Sequence, residues 1–187
     1  MRPLAAAFVV LAALACLGAS PGARTIPHPG GGPALIVPAG SPVRFAGFDK
    51  NGVAHFKGRF QLNGNYTYGC RIDCEEPPIP GDNLELNLLP DPSLTKRMPH
   101  WQDRGDDMVI ELTATSKQLA ALATRAQVAA LRSGKLDEVR GHIVVTADDF
   151  VADFGCDYSP YYAARVVALS KPPTLAKLDI KGDFGCA

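Results

Sequence analysis

The chain has 187 residues, with 19 basic and 19 acidic side chains, so its formal net charge at pH 7 is zero. That length and an apolar content of 47% suit one ordinary domain with a core of its own. Balanced charge with no Lys/Arg cluster excludes the basic stripe that a phosphate backbone requires, so nucleic acid is not expected as a partner.

Residues 1–19 read as a secretory signal peptide. Met1-Arg2 is a short basic start, Leu4 to Leu17 is almost wholly apolar, and small residues follow at Gly18-Ala19-Ser20. Cleavage is expected after Ala19 or as late as Ala23, and the apolar run is too short for a membrane span. A lipoprotein signal is the alternative, because Cys16 follows Leu14-Ala15; Ala13 stands where such signals prefer Leu, which disfavours a lipid anchor at Cys16. No later run is long enough to cross a membrane. The expected location is periplasmic or secreted.

Cys70, Cys74, Cys156 and Cys186 remain after cleavage. In an exported chain an even set reads as two disulfides, with three possible connectivities. A zinc site is disfavoured, since Cys70-x-x-x-Cys74 lacks the C-x-x-C spacing and the other two cysteines stand alone. No metal or other cofactor is expected.

In chain order, residues 20–42 hold six prolines and five glycines and read as a linker or arm, with Ala34 to Val37 able to add a short edge strand. A single β-rich domain is expected over 43–170. Val43 to Phe48 and the turn Asp49-Lys50-Asn51-Gly52 lead into the most informative stretch, Ala54 to Cys70. There Ala54, Phe56, Phe60, Leu62, Tyr66 and Tyr68 alternate with His55, Lys57, Arg59, Gln61, Asn65 and Thr67. Strict period-2 alternation predicts one long strand with a buried and a wet face, bent at Gly58 and Gly64.

A Pro-rich connection follows Cys74, then a strand with Leu84, Leu86 and Leu88 that stops at Pro90. Residues 91–107 read as a polar loop carrying the single tryptophan, Trp101. Met108, Ile110 and Leu112 face inward on a third strand. Thr115-x-x-Gln118 and Thr124-x-x-Gln127 are capping boxes, predicting one Ala-rich helix or two short ones, with Leu119, Leu122, Ala126 and Ala130 on the sheet-facing side.

The pattern then returns to strand. Val139, Gly141, Ile143 and Val145 share one parity, whereas Phe150, Ala152 and Phe154 need the other, which predicts a turn or bulge within Thr146 to Asp149. Tyr161 to Leu169 is the last strand of the domain. The tail 171–187 is expected to be pinned through Cys186.

A long bent strand, two shorter strands, a helical segment and two further strands make the chain mainly β with a minor helical part. That order resembles the OB type of small Greek-key barrel over roughly 43–169, and the resemblance implies a curled antiparallel sheet with the helix between its third and fourth strands. A β-sandwich with a helical insert is the alternative.

Functional motifs are sparse. His55 and His142 would share a polar face if the first and fourth barrel strands pair, and Asp148, Asp149, Asp153 and Asp157 cluster in sequence; exposed histidines and turn aspartates are the plainer readings. The candidate binding residues are aromatic and neighbouring: His100, Trp101, Tyr158, Tyr161 and Tyr162, which could form a stacking platform on barrel loops or else plug the barrel end. No catalytic set is assigned. The expected function is a non-catalytic module binding an envelope protein or a small ligand, the alternative being a small secreted hydrolase using His100 with a nearby Asp.

Overall fold

The computed structural model describes residues 22–70, 84–102, 108–154, 159–170 and 174–175. The signal segment, the connection after Cys70, and Cys16, Cys74, Cys156, Cys186 and Tyr158 lie outside the described residues. In chain order the elements are β1 (Arg24–Ile26), β2 (Leu35–Val37), β3 (Arg44–Phe48), β4 (Ala54–Lys57), β5 (Phe60–Cys70), β6 (Leu84–Pro90), α1 (Pro92–Thr95) and β7 (His100–Trp101). They continue as β8 (Ile110–Thr113), α2 (Ser116–Leu122), α3 (Arg125–Arg132), β9 (Glu138–Phe154), β10 (Pro160–Leu169) and β11 (Thr174–Leu175). The fold is mainly β. A large mixed sheet runs in the order β10-β8-β6-β5-β9-β4-β3, with β11 joining at β9 and β10 also pairing with β9; a small sheet has the order β1-β2-β7.

The alternation from Ala54 sets the core. Ala54, Phe56, Phe60, Leu62, Tyr66 and Tyr68 are buried together with Gly64, and the other residues between them are exposed or half-buried. The expected single strand is two, because Gly58 at φ +124° takes a backbone conformation that L side chains resist and turns the chain between β4 and β5. Both halves nevertheless pair antiparallel with β9, Ala54 opposite Ala152 and Phe60 opposite Ala147. Gly64 serves a close approach instead. A Cβ there would sit 2.2 Å from the Leu89 carbonyl oxygen of β6.

The parity change on β9 falls where the sequence requires it. Val139, Ile143, Val145 and Ala147 are buried, then Phe150 and Ala152. Between them Asp149 has φ +51°, and the register with β10 slips as Ala163 pairs with Val151 but Arg165 with Asp148. This bulge lets one 17-residue strand keep apolar side chains on the core side along its whole length.

The structure refines three expectations. The 20–42 arm is not only a linker: β1 and β2 pair, β2 pairs in turn with β7, and Leu35 is fully buried. The 91–107 loop carries α1, and Leu94, Met98 and Trp101 are core residues. The helical segment is two helices with both capping boxes formed, and Ala123 between them is extended at φ −143°, ψ 140°. That break resets the helical phase, so Leu122, Ala123 and Leu131 are buried while Ala126 is exposed.

Candidate functional site

An open groove of about 740 Å³ lies between α2, α3 and the end of β5. Its apolar lining comes from Tyr68, Leu119, Ala120, Ala123, Val128 and Ala129. Arg125 and Arg132 rim it together with Ser116 and Ser133, and none of the lining residues is acidic. On α3 the spacing 125, 128, 129, 132 puts two arginines and two small apolar residues on one face. Seven residues at 1.5 Å rise separate the arginines by about 10 Å along the axis.

The groove is held open by hydrogen bonds that fix α2 from both sides. The Tyr66 hydroxyl donates to the Leu122 carbonyl at 2.9 Å, fastening the end of α2 to β5. Gln118, besides completing its capping box, donates from Nε2 to the Val166 and Val167 carbonyls of β10 at 3.2 and 3.3 Å. Burial raises the Tyr68 phenol above its ordinary pKa, with the Arg132 charge acting the other way, and burial pushes Tyr66 up to about 12. Both phenols are therefore neutral at physiological pH, and the groove's charge is that of its two guanidiniums.

The aromatic residues singled out in the sequence are brought together only in part. Trp101 is fully buried, stacked on Phe154 at 4.6 Å between centroids and edged by His28 at 5.5 Å. Its backbone N–H donates to the Tyr162 hydroxyl at 3.1 Å, and Tyr162 is only 2% exposed. Tyr161 points outward from β10 and donates to Glu111 of β8 at 2.6 Å. His100 is half-buried, with Nδ1 3.0 Å from the Met98 carbonyl oxygen.

The two histidines of the polar face lie far apart, and the aspartates near the β9 bulge are engaged locally. Register sets His55 opposite Val151 and His142 opposite Asn65, nine residues and about 30 Å apart along β9. Asp148 and Asp149 meet Arg165 at 3.0 and 2.7 Å beside the bulge, and the Asp153 carboxylate accepts from the Phe154 N–H at 2.8 Å. Among the described residues no group of three or more His, Cys, Asp or Glu is set to hold a metal ion. No described helix is long and apolar enough to cross a membrane.

Sequence reading missed the groove. Arg125 and Arg132 read from the sequence as the exposed side of a short helix, and of the aromatic candidates Trp101 and Tyr162 are packed interior. His28 left no signal, because it sits in the Pro/Gly-rich arm. Comparison of the chain with protein-family models, curated proteins and solved structures finds no match.

Proposed function

We propose that this protein is an exported, non-catalytic binding module on a small Greek-key barrel of the OB type, working in the periplasm or outside the cell. The barrel reading is supported by the circuit of ladders from β5 to β6, β8, β10, β9 and back to β5, with α2 and α3 between β8 and β9 in the chain. The basic, apolar and small residues of 1–19 support export. Export implies that Cys70, Cys74, Cys156 and Cys186 form two disulfides; peptide mapping without reductant is expected to find no free thiol among them, and four free thiols would overturn the pairing.

The observation that carries the functional reading is the groove: an apolar floor, two guanidiniums at its rim and no acidic lining residue. Its volume is in the range of small-ligand clefts, roughly 300–1,000 Å³. An apolar chain fits the floor, and an anionic head complements Arg125 or Arg132, the residue type best suited to hold a carboxylate through two N–H donors. The ligand class is a single-chain fatty-acid anion. The hydrolase reading rests on His100 alone, whose Nδ1 lies 3.0 Å from the Met98 carbonyl oxygen.

Calorimetric titration with dodecanoate and with the uncharged dodecanol tests this. The acid binds at least about tenfold more tightly than the alcohol, and Arg125→Ala with Arg132→Ala abolishes that preference. Equal affinity for acid and alcohol in the wild type, or no binding of either, overturns the reading.

A further inference from the structure

Tyr66 and Tyr68 stand on the same buried face of β5, and the fold uses the hydroxyl of only the first. Tyr66 donates to the Leu122 carbonyl at 2.9 Å. Tyr68 lines the groove and is only 4% exposed, yet among the described residues nothing bonds its hydroxyl. That oxygen is also not one of the side-chain polar atoms sealed without a partner, so it opens on the groove. A phenol with its ring packed and its O–H left over is a donor fixed in place, and buried donors of this kind find a partner.

The two arginines of the rim are not equivalent with respect to it. Gly69 pairs with Glu138 at the start of β9, and a Cβ on Gly69 would sit 2.6 Å from the Asp137 carbonyl oxygen. A short connection joins that point to Arg132, the last residue of α3, whereas Arg125 opens the helix near Leu122, where Tyr66 is bound. Tyr68 therefore lies at the Arg132 end of the groove. Burial raises its phenol, and Arg132 is the arginine whose charge acts against that rise. Among the described residues Arg132 is in no ion pair.

We infer that the Tyr68 hydroxyl and the Arg132 guanidinium form the head-group subsite of the groove, jointly holding a carboxylate, with the acyl chain running from there over Val128 and Ala123 toward Leu119. The inference rests on the groove being a fatty-acid site, and it fixes which way the ligand lies. A carboxylate accepts two N–H bonds from one guanidinium and keeps lone pairs for the phenol. Because burial keeps Tyr68 protonated at neutral pH, it donates to the head instead of repelling it. Arg125 then flanks the far end of the chain.

Calorimetric titration with dodecanoate decides the matter for the wild type, Tyr68→Phe, Arg132→Ala, the double variant of these two, and Arg125→Ala. Tyr68→Phe keeps the packed ring and removes only the oxygen. It is expected to weaken binding about tenfold, Arg132→Ala by at least as much, and Arg125→Ala to leave the affinity close to wild type. The double variant loses less than the product of its single losses, since both donors hold one carboxylate. Unchanged binding in Tyr68→Phe, losses that multiply fully in the double variant, or a loss confined to Arg125→Ala overturns the subsite and leaves the groove standing. No binding of dodecanoate by the wild type overturns the groove reading, and the inference with it.

Discussion

Trp101 donates its indole N–H to the backbone carbonyl of Asp153 at 2.9 Å, tying the short strand β7 to the far end of β9 across 52 residues of sequence. The bond lies inside an aromatic cluster in which His28, Phe48 and Phe154 surround the indole. Because β2 of the arm pairs with β7, the same tryptophan holds the chain on either side of the large sheet's end.

Trp101→Ala is therefore expected to cost about 3–5 kcal/mol, as large-to-small changes of buried aromatics do. Trp101→Phe keeps most of the packing but leaves the Asp153 carbonyl unsatisfied, at about 1–3 kcal/mol. Urea unfolding followed by far-ultraviolet circular dichroism measures both. Equal, small losses would show that the cluster does not hold the arm.

Gly58 and Gly64 of the Ala54 to Cys70 stretch fail differently. Gly64→Ala drives a Cβ into the Leu89 backbone, which belongs to a paired strand and has no way to yield; a loss of about 3 kcal/mol or more is expected. Gly58→Ala meets nothing closer than 3.6 Å and suffers only its φ of +124°, at about 1–3 kcal/mol. Unfolding midpoints should rank wild type above Gly58→Ala and Gly58→Ala above Gly64→Ala.

Asp149 is the one described non-glycine residue with positive φ, and it pairs with Arg165 at 2.7 Å. Asp149→Gly relieves the backbone and forfeits an exposed ion pair, so its stability stays within about 1 kcal/mol of wild type. Asp149→Val puts a β-branched residue in the same conformation and is expected to cost about 2 kcal/mol. If valine were tolerated as well as glycine, the bulge would not depend on that backbone geometry.

Alkaline pH tests the Tyr66 contact. Burial raises this phenol from 10.0 to about 12, so the folded chain holds the proton more tightly than the unfolded one. The corresponding stability is intact below pH 10 and is lost as pH rises toward 12. Tyr66→Phe removes that alkaline loss and, by deleting the bond to Leu122, costs about 1 kcal/mol at neutral pH. Unfolding free energies of both proteins across this pH range give the comparison.

Much of the sheet was legible because burial writes itself into parity. The alternation after Ala54, the reversal between Ala147 and Phe150 and the two capping boxes each have one physical cause acting over a few residues. What stayed illegible depends on contacts far apart in sequence. Leu35 and His28 are ordinary residues of a Pro/Gly-rich arm until β7 and Trp101 receive them, and Leu94 and Met98 have no periodic partners to mark them as core. The same limit hid the site. Arg125 and Arg132 read as the exposed side of a short helix, and only the placement of Tyr68 opposite turns that side into a groove.

The most direct test of the groove is nuclear magnetic resonance of the labelled protein with unlabelled dodecanoate. The account predicts intermolecular Overhauser effects from the acyl methylenes to the methyl groups of Leu119, Ala123 and Val128 and to the Tyr68 ring, with shift changes at the Arg125 and Arg132 guanidinium groups. Effects confined to the aromatic cluster around Trp101, or to the outer face of the large sheet, would contradict it.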